Sequence, residues 1–158
     1  MRFLRLAIAL LVGALCAARL TAEERDATLA RVHPTSDLAS AGDADLVVEA
    51  VFEDLAIKHD IWRALDDRAP APAIFATNTS SIAIHRLAEA VKRDRRRRFV
   101  GMHFFSPVPV MPLVELIRAH ETSDETVETV RTLTSELGKQ LIVSADRPGF
   151  IVNRILMP

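Results

Sequence analysis

Apolar positions in this chain fall into short continuous runs separated by stretches of helical spacing, and that alternation predicts an architecture. Thr21 and Glu24 form a capping-box pattern for a short polar helix through Arg31, with Pro34 as the break after it. Asp45 to Phe52 reads as a buried strand, because its apolar residues run on without alternating. Ile57, Ile61, Ala64 and Leu65 recur at helical spacing within Ile57 to Arg68, and Pro70-Ala71-Pro72 stops that helix before a strand at Ala73 to Thr77. A helix around Ile84 to Val91 follows, then strands at Phe99 to Phe104 and Leu113 to Ile117 on either side of the proline-rich Ser106 to Pro109. Thr122 and Glu125 offer a second capping box, for a helix with Val127, Val130, Leu133 and Leu137 on one face and Gly138 at its end. The last strand is Gln140 to Ser144. Strands alternating with helices predict an α/β domain on a largely parallel sheet.

The N-terminus breaks the pattern. Basic Met1 to Arg5 followed by apolar Leu6 to Ala18 has the layout of a secretory signal, but Cys16-Ala17-Ala18 makes no clean cleavage site and the run is short for a bilayer span. A cytoplasmic protein is the expectation and an exported one the alternative. With 158 residues, 49% of them hydrophobic, and a net charge of -1, the chain suits one globular domain with no general attraction to nucleic acid or acidic membranes. The basic run Lys92 to Arg98 reads as a solvated loop. Cys16, the single cysteine, excludes an internal disulfide and a cysteine-based zinc site, and no metal is expected.

Three clusters beside strand ends can carry chemistry, since ligands bind there in parallel α/β sheets. In Thr77-Asn78-Thr79-Ser80-Ser81, hydroxyl and amide groups can bond a ligand or simply cap a turn. His103 and Glu115 lie in successive strands joined by a loop containing Pro107, Pro109 and Pro112. An imidazole, with an unperturbed pKa of about 6.5, can take a proton at neutral pH while a carboxylate orients it; the other reading is a satisfied structural histidine. Asp146 to Arg154 forms a Pro-Gly turn into an apolar run that presents Asn153, or leaves it as an exposed polar position. The chain has no G-x-S-x-G, no H-E-x-x-H and no P-loop.

Taken together, Asn78 to Ser81, Gly101 to Glu115 and Pro148 to Arg154 resemble the signature of the 3-hydroxyacyl-CoA dehydrogenase family, over roughly Leu20 to Pro158. The resemblance implies part of a Rossmann-type doubly wound sheet, and NAD-dependent oxidation of a 3-hydroxyacyl-CoA to its 3-oxoacyl-CoA, as in fatty acid β-oxidation. It implies His103 as general base, Glu115 orienting it, and Ser80 and Asn153 bonding the reacting oxygen. It also implies that Glu53, Lys58, Asn78 and Ser80 border the cofactor. Ser106 and Pro112 stand where the family more often has asparagine and lysine.

The resemblance stops short at both ends. No two of Gly13, Gly42, Gly101, Gly138 and Gly149 have the G-x-G-x-x-G spacing that lets backbone amides approach a pyrophosphate, so impaired NAD binding is expected. The first βαβ unit and the family's helical substrate domain are expected to be missing, as in a truncated or frame-shifted product. An incomplete sheet with open apolar edges implies marginal stability and argues against the family's homodimer. Two rival readings follow: a non-catalytic module that pairs with a partner chain through an open edge, and a related dehydrogenase acting on a free hydroxy acid.

Overall fold

The computed structural model describes residues 6–7 and 21–156, built around a six-stranded sheet in the order β1-β2-β3-β4-β5-β6. The strands are β1 (Leu6–Ala7), β2 (Leu46–Glu49), β3 (Ile74–Thr77), β4 (Phe99–Phe104), β5 (Leu113–Arg118) and β6 (Gln140–Ala145). The helices are α1 (Ala22–Leu29), α2 (Leu55–Asp66), α3 (Ile84–Ala88), α4 (Asp124–Glu136) and α5 (Val152–Leu156). Pairing is parallel from β1 to β4, antiparallel at β4–β5 and parallel at β5–β6, which gives the largely parallel α/β sheet that the alternation predicts and the Rossmann type that the resemblance implies.

The sheet differs from expectation at its first edge. No strand is predicted ahead of Thr21, yet Leu6 and Ala7 pair in parallel with Leu46 and Val47. Ladder bonds use backbone groups common to all residues, so a stretch without the family's motif can still fill that place. The rest of the signal-like segment, with Gly13 and Cys16, lies outside the described residues. No described helix is long and apolar enough to cross a membrane.

Side chains on a strand alternate between faces, so each strand feeds two layers. Val47, Phe75, Phe99 and Ile117 pack with Trp62 and Leu65 of α2 and with Ile84 and Leu87 of α3. Leu46, Ile74, Ala76, Val100, Met102, Val114 and Leu116 point the other way, against Val127 and Val130 of α4. Trp62 stacks on Phe75 at 4.9 Å and meets the edge of Phe99 at 4.9 Å, which anchors α2 on the sheet.

The buried stripe of α2 is Lys58, Trp62, Leu65 and Asp66, whereas Ile57 of the predicted stripe is 43% exposed. Helical spacing is kept but rotated, because two of the inward residues are charged and neutralised inside. Lys58 pairs with Glu49, and Asp66 pairs with Arg95. Arg95 corrects the reading of Lys92 to Arg98 as a solvated loop. Residues Arg93–Arg98 form a 3-10 turn, and Arg95 is 7% exposed, donating to Asp66 and to the carbonyls of Ala69, Pro70, Ala71 and Ala73. Helix α1 has its predicted capping box, but α4 is capped by Ser123, which accepts from the Thr126 amide. Thr122 instead donates to the Phe99 carbonyl and accepts from the Ala119 amide, so its hydroxyl ties these segments together and does not cap α4.

Candidate active site

Along one face of the sheet the apolar run turns polar toward one end. Glu49 follows Val47, Thr77 follows Phe75, His103 follows Phe99 and Gly101, and Glu115 precedes Ile117. All four polar residues are at most 4% exposed, so each needs a partner. Glu49 has three: Thr77 Oγ1 donates to Oε2 at 2.7 Å, while Lys58 Nζ and the Val51 amide donate to Oε1 at 2.7 Å each.

Lys58 is fully buried, and its remaining neighbours are the Val51 carbonyl at 3.3 Å and Glu53 Oε2 at 3.4 Å. Its ammonium is thus engaged by Glu49, Glu53 and the Val51 carbonyl. Glu53 ties the β2–α2 loop to the turn after β3. Its Oε1 accepts from Thr79 Oγ1, the Ser80 and Ser81 amides and Ser81 Oγ. Burial pushes the Glu53 carboxyl up, but the bonds from Thr79, Ser81 and the Ser80 backbone, with the Lys58 charge, outweigh it and hold the group below its ordinary value. Oε2 lies 3.4 Å from Lys58 Nζ, on a side chain that is 39% exposed and so keeps room for a second donor. Asn78 uses Oδ1 to accept from the Phe104 amide at 2.8 Å, fixing the turn to the end of β4.

His103 and Glu115 are direct partners in the antiparallel β4–β5 register, which holds their side chains together on one face. His103 Nδ1 lies 2.8 Å from Glu115 Oε2. Glu115 Oε1 accepts from the amides of Ile151 and Val152 at 3.0 Å each. These two amides converge because Gly149 (φ 75°) and Phe150 (φ 50°) both adopt left-handed backbone, a conformation that is strained for phenylalanine. Phe150 is 3% exposed, its ring 5.8 Å from that of His103, and Phe105 flanks the imidazole at 4.7 Å. A carboxylate on Nδ1 sets the tautomer and leaves Nε2 as the nitrogen for a reacting proton.

Just past this pair, Asn153 Nδ2 donates to the Ser80 carbonyl at 3.0 Å. Ser80, Ser81, Pro148, Gly149, Asn153 and Arg154 line an open hollow of about 510 Å³. The structure therefore brings Ser80 and Asn153 together at one hollow, with Glu53 bonded to the Ser80–Ser81 turn, Asn78 tying that turn to β4, and Glu115 holding the Ile151 and Val152 amides next to Asn153, while neither His103 nor Glu115 lines the hollow itself. Sequence reading left Asp146 unassigned, although its carboxylate binds the start of α3. The available signal was Ala83, a helix N-cap with no side-chain acceptor of its own. Among the described residues no cluster of three or more metal-ligating side chains occurs.

A mostly parallel sheet with hydroxyl-rich and acidic loops past its strands, and a histidine–carboxylate pair on one face, belongs to the class of Rossmann-type dinucleotide-binding oxidoreductase domains. The sequence pattern of one family, the 3-hydroxyacyl-CoA dehydrogenase NAD-binding domain, matches residues 7–147, and this chain belongs to that family. The match begins ahead of Leu20 and ends just before the Pro148 to Arg154 turn.

Among its relatives, a probable 3-hydroxybutyryl-CoA dehydrogenase of Deinococcus radiodurans is 47% identical over 133 residues, covering 84% of this chain and 47% of that protein. The alpha subunit of the fatty acid oxidation complex of Acinetobacter baylyi is 46% identical over 140 residues, covering 89% of this chain and 19% of its own length. The crystal structure of (S)-3-hydroxybutyryl-CoA dehydrogenase from Ralstonia eutropha superposes with a TM-score of 0.83 at 44% identity, over 87% of this chain and 48% of that one. The chain thus spans at most about half the length of these relatives.

Proposed function

We propose that this chain carries the catalytic side of an NAD-dependent oxidoreductase that converts a 3-hydroxyacyl-CoA to the 3-oxoacyl-CoA, a fatty acid β-oxidation type of step. The observation that carries the reading is the buried His103–Glu115 pair, its carboxylate fixed by the Ile151 and Val152 amides, which lead directly to Asn153 at the hollow.

In this reading His103 Nε2 takes the proton of the 3-hydroxyl as C3 becomes a ketone. Glu115 keeps Nδ1 protonated and stabilises the imidazolium that forms. Ser80 and Asn153 bond the oxygen while its charge changes, the preorganised support such a step needs. NAD, when bound, supplies the acceptor for the hydride leaving C3.

The residues present fit the nicotinamide end of that cofactor. The hollow is lined by Ser80, Ser81 and Asn153, and Glu53 Oε2, on a partly exposed side chain, can add a ribose hydroxyl to its Lys58 contact. Among the described residues no glycine is placed to supply the phosphate end. Gly101 is packed inside β4, Gly138 ends α4, Gly149 lies in the strained turn, and Gly42 sits in a 3-10 turn. NAD binding by this chain is accordingly weak.

The test is NADH formation from (S)-3-hydroxybutyryl-CoA at high NAD by the purified chain. Turnover that drops at least about 100-fold in His103→Ala, with thermal melting unchanged, is the expected result. Equal turnover in the variant, or none in the parent chain, overturns the proposal.

A further inference from the structure

We infer that Asp146 is a positioning residue for the proposed reaction: its carboxylate sets the separation between the Ser80–Ser81 turn and the Gly149–Asn153 segment, the two walls of the hollow. This rests on reading that hollow as the active site. The starting observation is a helix without a cap. Helix α3 has five residues, and its N-cap Ala83 has no side chain able to accept from the first-turn amides.

Asp146 supplies the missing acceptor from 62 residues further along the chain. Its Oδ1 accepts from the Ile84 amide at 2.6 Å, and its Oδ2 accepts from the His85 amide at 2.8 Å and lies 2.7 Å from His85 Nδ1. The Asp146 side chain is 9% exposed, so the carboxylate itself is largely withdrawn from water, with the His85 ring, 57% exposed, covering its outer side. Helix α3 begins directly after the Ser80–Ser81 turn, and the two share the Thr79 hydroxyl, which accepts from the Ile82 amide at 3.0 Å.

On the other side, Asp146 opens the turn that the Phe150 amide closes onto the Arg147 carbonyl at 2.9 Å. Beyond that turn come the two amides held by Glu115, and Asn153 on the Ser80 carbonyl. The walls are therefore joined twice, by Asp146 at the base and by Asn153 at the hollow. A single partly exposed hydrogen bond from Asn153 is too weak to fix their distance by itself. A charged acceptor with three donors is stronger, and because the same segment holds Glu115, moving it also shifts the partner of His103.

Amide hydrogen exchange on the full chain tests this without requiring turnover. Asp146→Ala should speed exchange at Ile151 and Val152 by roughly tenfold or more, while Met102 and Leu116 in the β4–β5 ladder keep their protection. In the NADH assay the same variant should lose about tenfold or more in kcat with little change in KM, as expected when positioning rather than binding is lost. Unchanged exchange at Ile151 and Val152 overturns the inference. If the alanine variant also strips Met102 and Leu116 of protection, Asp146→Asn decides, because it keeps one acceptor for α3 and loses the other. The same local pattern at smaller amplitude is then expected, and protection equal to the parent chain overturns the inference. A parent chain that forms no NADH yet shows this pattern in its variants overturns the proposed reaction and leaves the coupling between the walls standing.

Discussion

Glu115 divides its two oxygens between different tasks, and one substitution can separate them. In Glu115→Gln the amide oxygen can still accept from Ile151 and Val152, so the turn and the fold should survive. The amide N–H then faces His103 Nδ1 as a donor, which forces the ring proton onto Nε2 and leaves no site for the substrate proton. NADH formation should fall at least about 100-fold while the melting midpoint stays close to that of the parent; a fully active variant would remove Glu115 from the mechanism.

Glu53 yields a prediction in pH. Its carboxyl is held below its ordinary value of 4.5, so its contribution to stability is complete above that value and is lost as pH falls through the lower folded value. The melting difference between the parent and Glu53→Gln should be flat from about pH 7 to 5 and narrow in more acid solution. A difference independent of pH would show that the charge plays no part. His103 and Glu115 were legible because both lie in short apolar strands whose limits punctuation marks clearly. Lys58 was not placed, because a helical pattern read from apolar residues does not show that a lysine can face inward when a buried glutamate meets it.

At the scale of elements, α3 rests on β4 through a glycine. A Cβ on Gly101 would stand 2.7 Å from Ile84 Cδ1 and 2.8 Å from Ile117 Cβ. The Ile84 methyl can move but the Ile117 Cβ is fixed to its strand, so Gly101→Ala should cost about 1–3 kcal/mol in denaturant unfolding, and adding Ile84→Val should restore only part of it. Full recovery in the double variant would mean that Ile117 gives way instead. Arg95 holds the other end of this layer. Arg95→Ala leaves Asp66 buried with only the Lys92 amide and takes a donor from four carbonyls, of which Pro70 keeps the Ala73 amide, a loss of about 3–5 kcal/mol by the same measurement. A loss under about 1 kcal/mol would place Arg95 among surface ion pairs. Its role was hidden in the sequence by its neighbours, since six of the seven residues from Lys92 to Arg98 are basic and nothing local marks the one that turns inward. Long-range caps are hidden for the same reason: Asp146 and Ala83 carry no local sign of each other.

At the scale of the whole molecule, element order and strand parity were readable because alternation fixes which face each residue takes, and five of the six strands are short apolar runs with clear stops. The pairing of Leu6 and Ala7 with β2 was not readable, since a two-residue ladder needs only backbone. That strand fills the place beside β2 without bringing a glycine-rich turn, and this separates the two ends of the cofactor. In the proposed reaction the hollow, Glu53 and the His103–Glu115 pair serve a nicotinamide and its ribose, whereas no glycine pair in the sequence has the spacing to cradle a pyrophosphate. Adding an adenosine and a second phosphate to the ligand should then gain little. In calorimetric titrations NAD should bind no more than about tenfold more tightly than nicotinamide mononucleotide, since tenfold corresponds to only about 1.4 kcal/mol. A preference on the order of 1000-fold, about 4 kcal/mol, would mean that another part of the chain grips the phosphates, and the weak-binding proposal would fail.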